Sequence, residues 1–158
     1  MPGRMTDAVH VRPARPGDHA AVLGLAGRLT EGVAPWRDPA GVATAVRGWV
    51  EQALATTGAD DRAILVAERD GRVVGFVTVA EQQHWSGGQD AYVGELAVEH
   101  DQERAGVGRA LVDAARGWAV GRGLTRLTLS TGAANARARA FYAALGFDEE
   151  DVRLTLRW

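Results

Sequence analysis

The sequence predicts an α+β fold, α/β in the broad sense, with one mixed sheet and helices packed against it. Three observations lead there. The apolar segments Ala63-Ile64-Leu65-Val66-Ala67 and Val73 to Ala80 flank Asp70-Gly71, a dipeptide that favours a tight hairpin turn, so these are antiparallel strands. From Tyr92 onward the apolar period switches between two and 3.6 residues, reading strand, helix, strand, helix, strand. The 158 residues are 46% hydrophobic and carry no internal repeat, low-complexity tract or linker, so a single domain over 1–158 is expected. Hairpin strands followed by strand–helix alternation describe a mixed sheet covered by helices.

The elements follow in order. Ala21, Leu25 and Leu29 recur at helical spacing after Pro16-Gly17-Asp18, which predicts a first helix ending near Glu31-Gly32. A second helix is expected over Ala40 to Leu54. The hairpin strands come next, then a polar tip around His84 to Gln89 and a strand over Tyr92 to Val98. Val107, Leu111, Ala114 and Trp118 mark an amphipathic helix that ends near Gly121 or Gly123. Leu124 to Ser130 reads as a short strand, and Ala138, Phe141 and Leu145 form the buried face of a helix that Gly146 stops. Val152, Leu154, Leu156 and Trp158 alternate as a final strand.

Composition excludes several functions. Every basic residue other than histidine is Arg, and the absence of Lys removes a P-loop nucleotide site and Schiff-base catalysis. There is no Cys for disulfides or thiolate chemistry, and the four histidines are scattered, so no metal site is expected. Ser86 and Ser130, the only serines, lie in no Gly-x-Ser-x-Gly elbow. A formal net charge of −2 gives no footprint for nucleic acid. The chain has no apolar run of membrane-spanning length and no basic-then-apolar leader, so no membrane partner and a cytoplasmic location are expected.

The chemistry concentrates at Glu95-Leu96-Ala97-Val98 and Glu103-Arg104-Ala105-Gly106-Val107-Gly108-Arg109, a strand leading through a glycine-containing turn into a helix. Such a turn aims several free N–H groups at one point, and the helix dipole adds positive charge there, so a diphosphate is a natural ligand. Gly106 and Gly108 allow close backbone approach, and Arg104 and Arg109 can add cationic contacts. A dinucleotide-binding fingerprint fits poorly, because its third glycine position is Leu111 and the preceding strands read as antiparallel.

Further on stands Asn135-Ala-Arg-Ala138-Arg-Ala-Phe141-Tyr142-Ala-Ala-Leu145-Gly146-Phe147. Together the two segments resemble the acyl-CoA-binding motifs of the GNAT superfamily of N-acetyltransferases, a Gln/Arg-x-x-Gly-x-Gly/Ala turn followed by Asn-x-x-Ala-x-x-Phe-Tyr-x-x-Leu-Gly-Phe. The similarity runs from about Val11 to the C-terminus and is strongest between Tyr92 and Phe147. It implies a GNAT-like, mostly antiparallel sheet of about six or seven strands flanked by about four helices, and acetyl-CoA as cofactor.

Carried over by position, the resemblance places the pyrophosphate on the N–H groups of Arg104, Ala105, Gly106, Val107, Gly108 and Arg109. The pantetheine arm and acetyl carbonyl would run along the backbone of Leu96, Ala97 and Val98, with Asn135 and Phe141 also at the cofactor and Tyr142 near its sulfur. One position departs from the pattern: the usual Gln or Arg is Glu103, whose side chain is expected to point to water. Asn135 after Thr131-Gly132-Ala133-Ala134 is also a helix N-cap, and the two roles can coexist. Tyr142 is read either as a proton donor or as a packing aromatic.

Acetyl transfer to an amine needs a neutral nitrogen, so a base is required, and Glu95 is the candidate. Simple alternation places Val93, Glu95 and Ala97 on one face, where apolar neighbours would desolvate the carboxylate and raise its pKa. Direct transfer needs no enzyme nucleophile, which agrees with the missing Cys. Acceptor contacts are expected from Trp36, Glu81, Trp85 and Glu95, since carboxylates beside aromatic faces suit a cationic amine. The expected function is transfer to a primary amine of a small molecule. A peptide N-acetyltransferase and a non-catalytic acyl-CoA-binding module stay open as alternatives. Apolar residues on the last strand, ending in Trp158, point to a homodimer.

Overall fold

The computed structural model describes residues 8–103 and 105–158. One five-stranded sheet carries the fold, in the order β1 (His10–Pro13), β2 (Arg62–Arg69), β3 (Arg72–Gln83), β4 (Gln89–Val98) and β5 (Leu127–Leu129). The first four strands pair antiparallel in succession, and β5 joins β4 in parallel. Asp70 and Gly71 both take positive φ, 52° and 74°, the backbone of the tight hairpin that the dipeptide specifies. Four helices accompany the sheet: α1 (His19–Gly24), α2 (Pro39–Ala55), α3 (Val107–Gly121) and α4 (Ala136–Ala144).

The sheet separates two apolar layers. On one face Val77, Val79, Ala91 and Val93 pack against Val107, Leu111, Ala115 and Ala119 of α3. On the other, Ile64, Val66, Phe76 and Ala97 meet Val22 and Leu25 from the α1 region and Val50 of α2. β1 is pinned to this second layer by charge: Arg12 binds Asp18 through two hydrogen bonds, 2.7 and 3.0 Å, and donates to Glu68 at 3.0 Å. The Arg12 guanidinium holds the nearly buried Asp18 carboxyl down to about 2, so the pair stays ionised. No helix among the described residues is long and apolar enough to cross a membrane.

Two expected elements differ. The first helix breaks: α1 ends at Gly24 and the chain continues as a 3₁₀ turn, Ala26–Thr30. Gly24 and Gly27 weaken the α-helix there, while Leu25 and Ala26 still bury their side chains. The final strand does not form, and the sheet has five strands rather than six or seven. Residues 151–158 are exposed and outside the sheet, with Val152, Leu154 and Leu156 at 76–88% exposure. An alternating apolar segment becomes a strand only when a neighbouring strand accepts its hydrogen bonds, and none of the described strands lies beside it.

Candidate active site

The site begins with an irregularity in β4. Val77 pairs with Leu96 and Val79 with Val93, so the single residue Thr78 faces two, Gly94 and Glu95. This β-bulge reverses the alternation. Ala91 and Val93 face α3 before it, whereas after it Leu96 and Val98 join that layer and Ala97 faces the α1–α2 side. The expected grouping of Val93, Glu95 and Ala97 on one face is therefore corrected, because the extra residue shifts the period by one. Gly94 was the available signal: a Cβ there would come within 3.0 Å of the Thr78 hydroxyl oxygen.

Thr78 holds Glu95 at both ends. Its hydroxyl accepts from the Glu95 N–H at 2.9 Å and donates to the Glu95 carboxylate. Burial pushes the Glu95 carboxyl above its ordinary value, and the Thr78 hydrogen bond pulls it part of the way back. Thr78 is only 8% exposed, so this partner is fixed. Glu95 borders a cavity of about 230 Å³ between the sheet and α2, with Trp49, Gln52, Tyr92 and Arg62 among its walls. Sequence reasoning identified neither Thr78 nor Trp49, since each needs the packing of α2 and β3 against β4 to become visible. A shallower depression of about 530 Å³ beside α1 and the Gly71 turn has its carboxylates, Asp18 and Glu99, already paired with Arg12 and Arg72.

Beyond the bulge, one edge of β4 is open. Pairing with β5 stops at Val93 and Leu129, so the two parallel strands diverge from there. The Val98 carbonyl accepts from Arg28 Nε at 3.1 Å on the open side, and the two-residue period turns the backbone of Leu96 the same way. Diverging ends of parallel strands form a crevice in which ligands are commonly held. The N-terminus of α3 lies immediately after β4. Gly106 caps it in the left-handed region, with φ 80°, and Ala110 makes the first helical hydrogen bond, to the Gly106 carbonyl at 3.1 Å. Helix geometry leaves Gly106, Val107, Gly108 and Arg109 with N–H groups that no turn of α3 can satisfy. Arg104 lies outside the described residues.

Helix α4 reaches the same place. The Phe141 ring lies over Gly108, where a Cβ would sit 3.1 Å from it. Tyr142 packs edge-on between Phe141 and Phe147, at centroid distances of 5.1 and 5.4 Å. Burial raises the Tyr142 hydroxyl above its ordinary value, keeping it protonated near neutral pH, and among the described residues it has no hydrogen-bond partner. Asn135 caps α4 by accepting from the Ala138 N–H at 3.1 Å, and its amide donates weakly to the Glu31 carbonyl at 3.4 Å.

Glu103 does not point to water. Its side chain is only 20% exposed and bridges Arg28 and Arg137, the latter at 2.6 Å, with His100 3.8 Å away. Two arginines in contact explain the correction: they compensate the carboxylate beside the turn that opens α3 and tie the 3₁₀ turn to α4. The remaining expected residues lie elsewhere. Glu81 is paired with Arg122 at 2.8 Å, Trp36 has the Arg157 guanidinium 4.5 Å over its ring, and Trp85 is 88% exposed beside His84. None of the three lines the cavity at Glu95.

The family model for the acetyltransferase (GNAT) family matches residues 30–147. The chain belongs to that family. This acetyltransferase is 30% identical, over 88% of its length and 89% of the relative's, to aminoglycoside N(6′)-acetyltransferase type 1 of Klebsiella aerogenes. Over 64 residues it is 39% identical to the ribosomal protein bS18-alanine N-acetyltransferase of Escherichia coli K12, which covers 40% of this chain and 43% of that one. Its fold matches the solved structure of the aminoglycoside N-acetyltransferase AAC(6′)-Iy in complex with CoA, with a TM-score of 0.75 at 20% identity over 100% of this chain and 99% of the other. The acetyltransferase transfers an acetyl group from acetyl-CoA directly to an amine. The orphan N–H groups at the start of α3 and the open β4 edge are the features that an elongated anionic donor requires.

Proposed function

We propose that the acceptor is a primary amine of a small molecule, bound on the α2 side of the sheet with its nitrogen at Glu95. The observation that carries this reading is the half-open cavity of about 230 Å³ that ends on a partly desolvated carboxylate. A recess of this size between α2 and the sheet suits a small molecule better than a polypeptide, which wants an extended groove. A relative matched over 89% of its length is named as an aminoglycoside acetyltransferase, which supports a small-molecule acceptor rather than a polypeptide.

Acetyl-CoA supplies an activated thioester. Glu95 takes the proton of the acceptor ammonium, directly or through a water, so that the neutral nitrogen forms the new N–C bond. A β4 N–H on the open edge, at Leu96 or Val98, stabilises negative charge on the acetyl oxygen as that bond forms. Tyr142 gives its proton to the departing sulfur when the C–S bond breaks, and its phenolate recovers, through water, the proton that the acylated nitrogen loses as the amide forms. The backbone of Ala105 to Arg109 and the open-edge backbone of Leu96 and Val98 hold the donor, with Ala97 fixing that segment to β3, Phe141 shaping the turn and Asn135 fixing α4 beside it. Arg104 adds a cation at the same turn.

Glu95→Gln is expected to lower turnover at neutral pH by roughly 100-fold or somewhat less, with coenzyme A affinity nearly intact. Because burial raises the Glu95 carboxyl, the acid limb of kcat/KM should lie above the ordinary value of 4.5, and activity falls as pH drops through it. The deficit should shrink at higher pH, where more of the amine is already neutral. Thiol release with acetyl-CoA against small amines and peptides, followed across pH in both proteins, measures this. Equal profiles would demote Glu95 to an anchoring residue.

We also propose that the enzyme acts in the cytoplasm as a homodimer. Support comes from residues 151–158, whose exposed Val152, Leu154, Leu156 and Trp158 want an apolar partner, and from the short outer strand β5. Sedimentation at micromolar concentration should give twice the monomer mass. A monomer mass alone would rule the dimer out.

A further inference from the structure

The cavity at Glu95 is polar at its two ends and apolar between them. Its floor consists of two cross-strand rows. Ile64 pairs with Thr78, which faces Gly94 and Glu95, and Arg62 pairs with Ala80, which pairs with Tyr92. The rows are two residues apart along β2 and β3, or about 7 Å, and the bulge makes Glu95 the third residue after Tyr92 on β4. Trp49 of α2, 56% exposed, closes the side toward solvent.

Charge is distributed unequally along that length. Glu95 is the one carboxylate among the lining residues, and it makes no ion pair among the described residues. At the far row stands a guanidinium, Arg62, held by both oxygens of Asp61 at 2.9 and 3.2 Å and donating to the Thr56 hydroxyl at 3.3 Å. The other carboxylates on nearby strand ends are already committed: Glu81 to Arg122 and Asp90 to Arg126. A ligand carrying several ammonium groups would find one unpaired carboxylate, Glu95, for the first of them and only carboxylates already matched to arginines for the rest. The volume adds a second limit, since about 230 Å³ is below the ~300–1,000 Å³ typical of pockets for drug-sized ligands.

We propose that this site selects compact monoamines with a flat apolar body, the ammonium at Glu95 and the body between Trp49 and Tyr92, and discriminates against polycationic amines, whose further charges meet no free carboxylate along the cavity. The inference rests on the small-molecule amine reading above and narrows it. It also departs from what the name of the aminoglycoside-acetylating relative would suggest. Aromatic walls give a flat body good contact and attract the ammonium through their faces, while a second cation at the far row would have to compete with Arg62 for Asp61.

Steady-state kinetics with acetyl-CoA and three acceptors tests the inference: 2-phenylethylamine, cadaverine and kanamycin A. The expected result is a kcat/KM for 2-phenylethylamine at least about tenfold above either polycation, a gap of about 1.4 kcal/mol. Trp49→Ala should raise the 2-phenylethylamine KM about tenfold with little change in kcat, and Arg62→Glu should narrow the gap to cadaverine. Calorimetry with coenzyme A checks that each variant is folded and keeps its donor site. Equal or better use of cadaverine or kanamycin A overturns the monoamine inference and leaves the acetyltransferase reading standing. An unchanged KM in Trp49→Ala overturns the aromatic wall. Normal coenzyme A binding with no acetylation of any of the three overturns both readings together.

Discussion

Gly108→Asp is expected to abolish coenzyme A binding while the protein stays folded. Gly108 is the second residue of α3, where an aspartate is favourable for the helix because its charge faces the positive end of the dipole. The same charge would occupy the place the diphosphate needs and satisfy the N–H groups that would receive it. Bulk acts as well, since a Cβ at this position presses on Phe141 at 3.1 Å. Gly108→Ala separates the two effects: it carries the bulk without the charge, and should weaken affinity by about tenfold where the aspartate removes it. Calorimetry on both variants, with circular dichroism to verify folding, decides the matter. Unchanged affinity in a folded Gly108→Asp protein would place the diphosphate elsewhere.

Tyr142→Phe should lower turnover roughly tenfold to a thousandfold with stability changed by no more than about 1–1.5 kcal/mol. The substitution retains the ring and with it the edge-on contacts to Phe141 and Phe147. Only the hydroxyl is lost, and no described residue depends on it as a hydrogen-bond partner. Packing therefore predicts a silent substitution, whereas proton donation to the sulfur predicts a slow one. The raised hydroxyl value keeps that proton in place across the neutral range. Wild-type turnover, measured with a competent acceptor and chemistry rate-limiting, would leave Tyr142 with a packing role alone.

Local chemistry was legible from the sequence wherever one segment determined its own conformation. Asp70-Gly71 specified the hairpin, Gly106 and Val107 marked the start of α3, and Asn135 was readable as the cap of α4. What escaped depended on contacts between segments. Gly94 signals a bulge only when Thr78 is known to lie opposite, and Trp49 reads as a solvent-facing helix residue until α2 is laid over β3 and β4. Glu103 reads in the sequence as a solvated charge because its partners Arg28 and Arg137 are far away in the chain. The last strand failed for a related reason: alternation specifies a strand's faces, while its hydrogen bonds need a partner that the sequence pattern does not name.

The brevity of β5 has a thermodynamic side. Three residue pairs hold it to β4, and α4, which follows it, buries none of its residues completely. The hairpin strands, by contrast, carry five of the ten largest fully buried side chains among the described residues, Val66, Val74, Phe76, Val77 and Val79. Such unequal anchoring divides the molecule into a firm half and a half that opens at lower free energy. The donor would lie along the boundary, touching β4 and the α3 turn on one side and α4 on the other. Part of its binding energy is then spent ordering the weaker half, so measured affinity understates the contacts made, and saturation with the donor would raise the melting temperature through that half in particular.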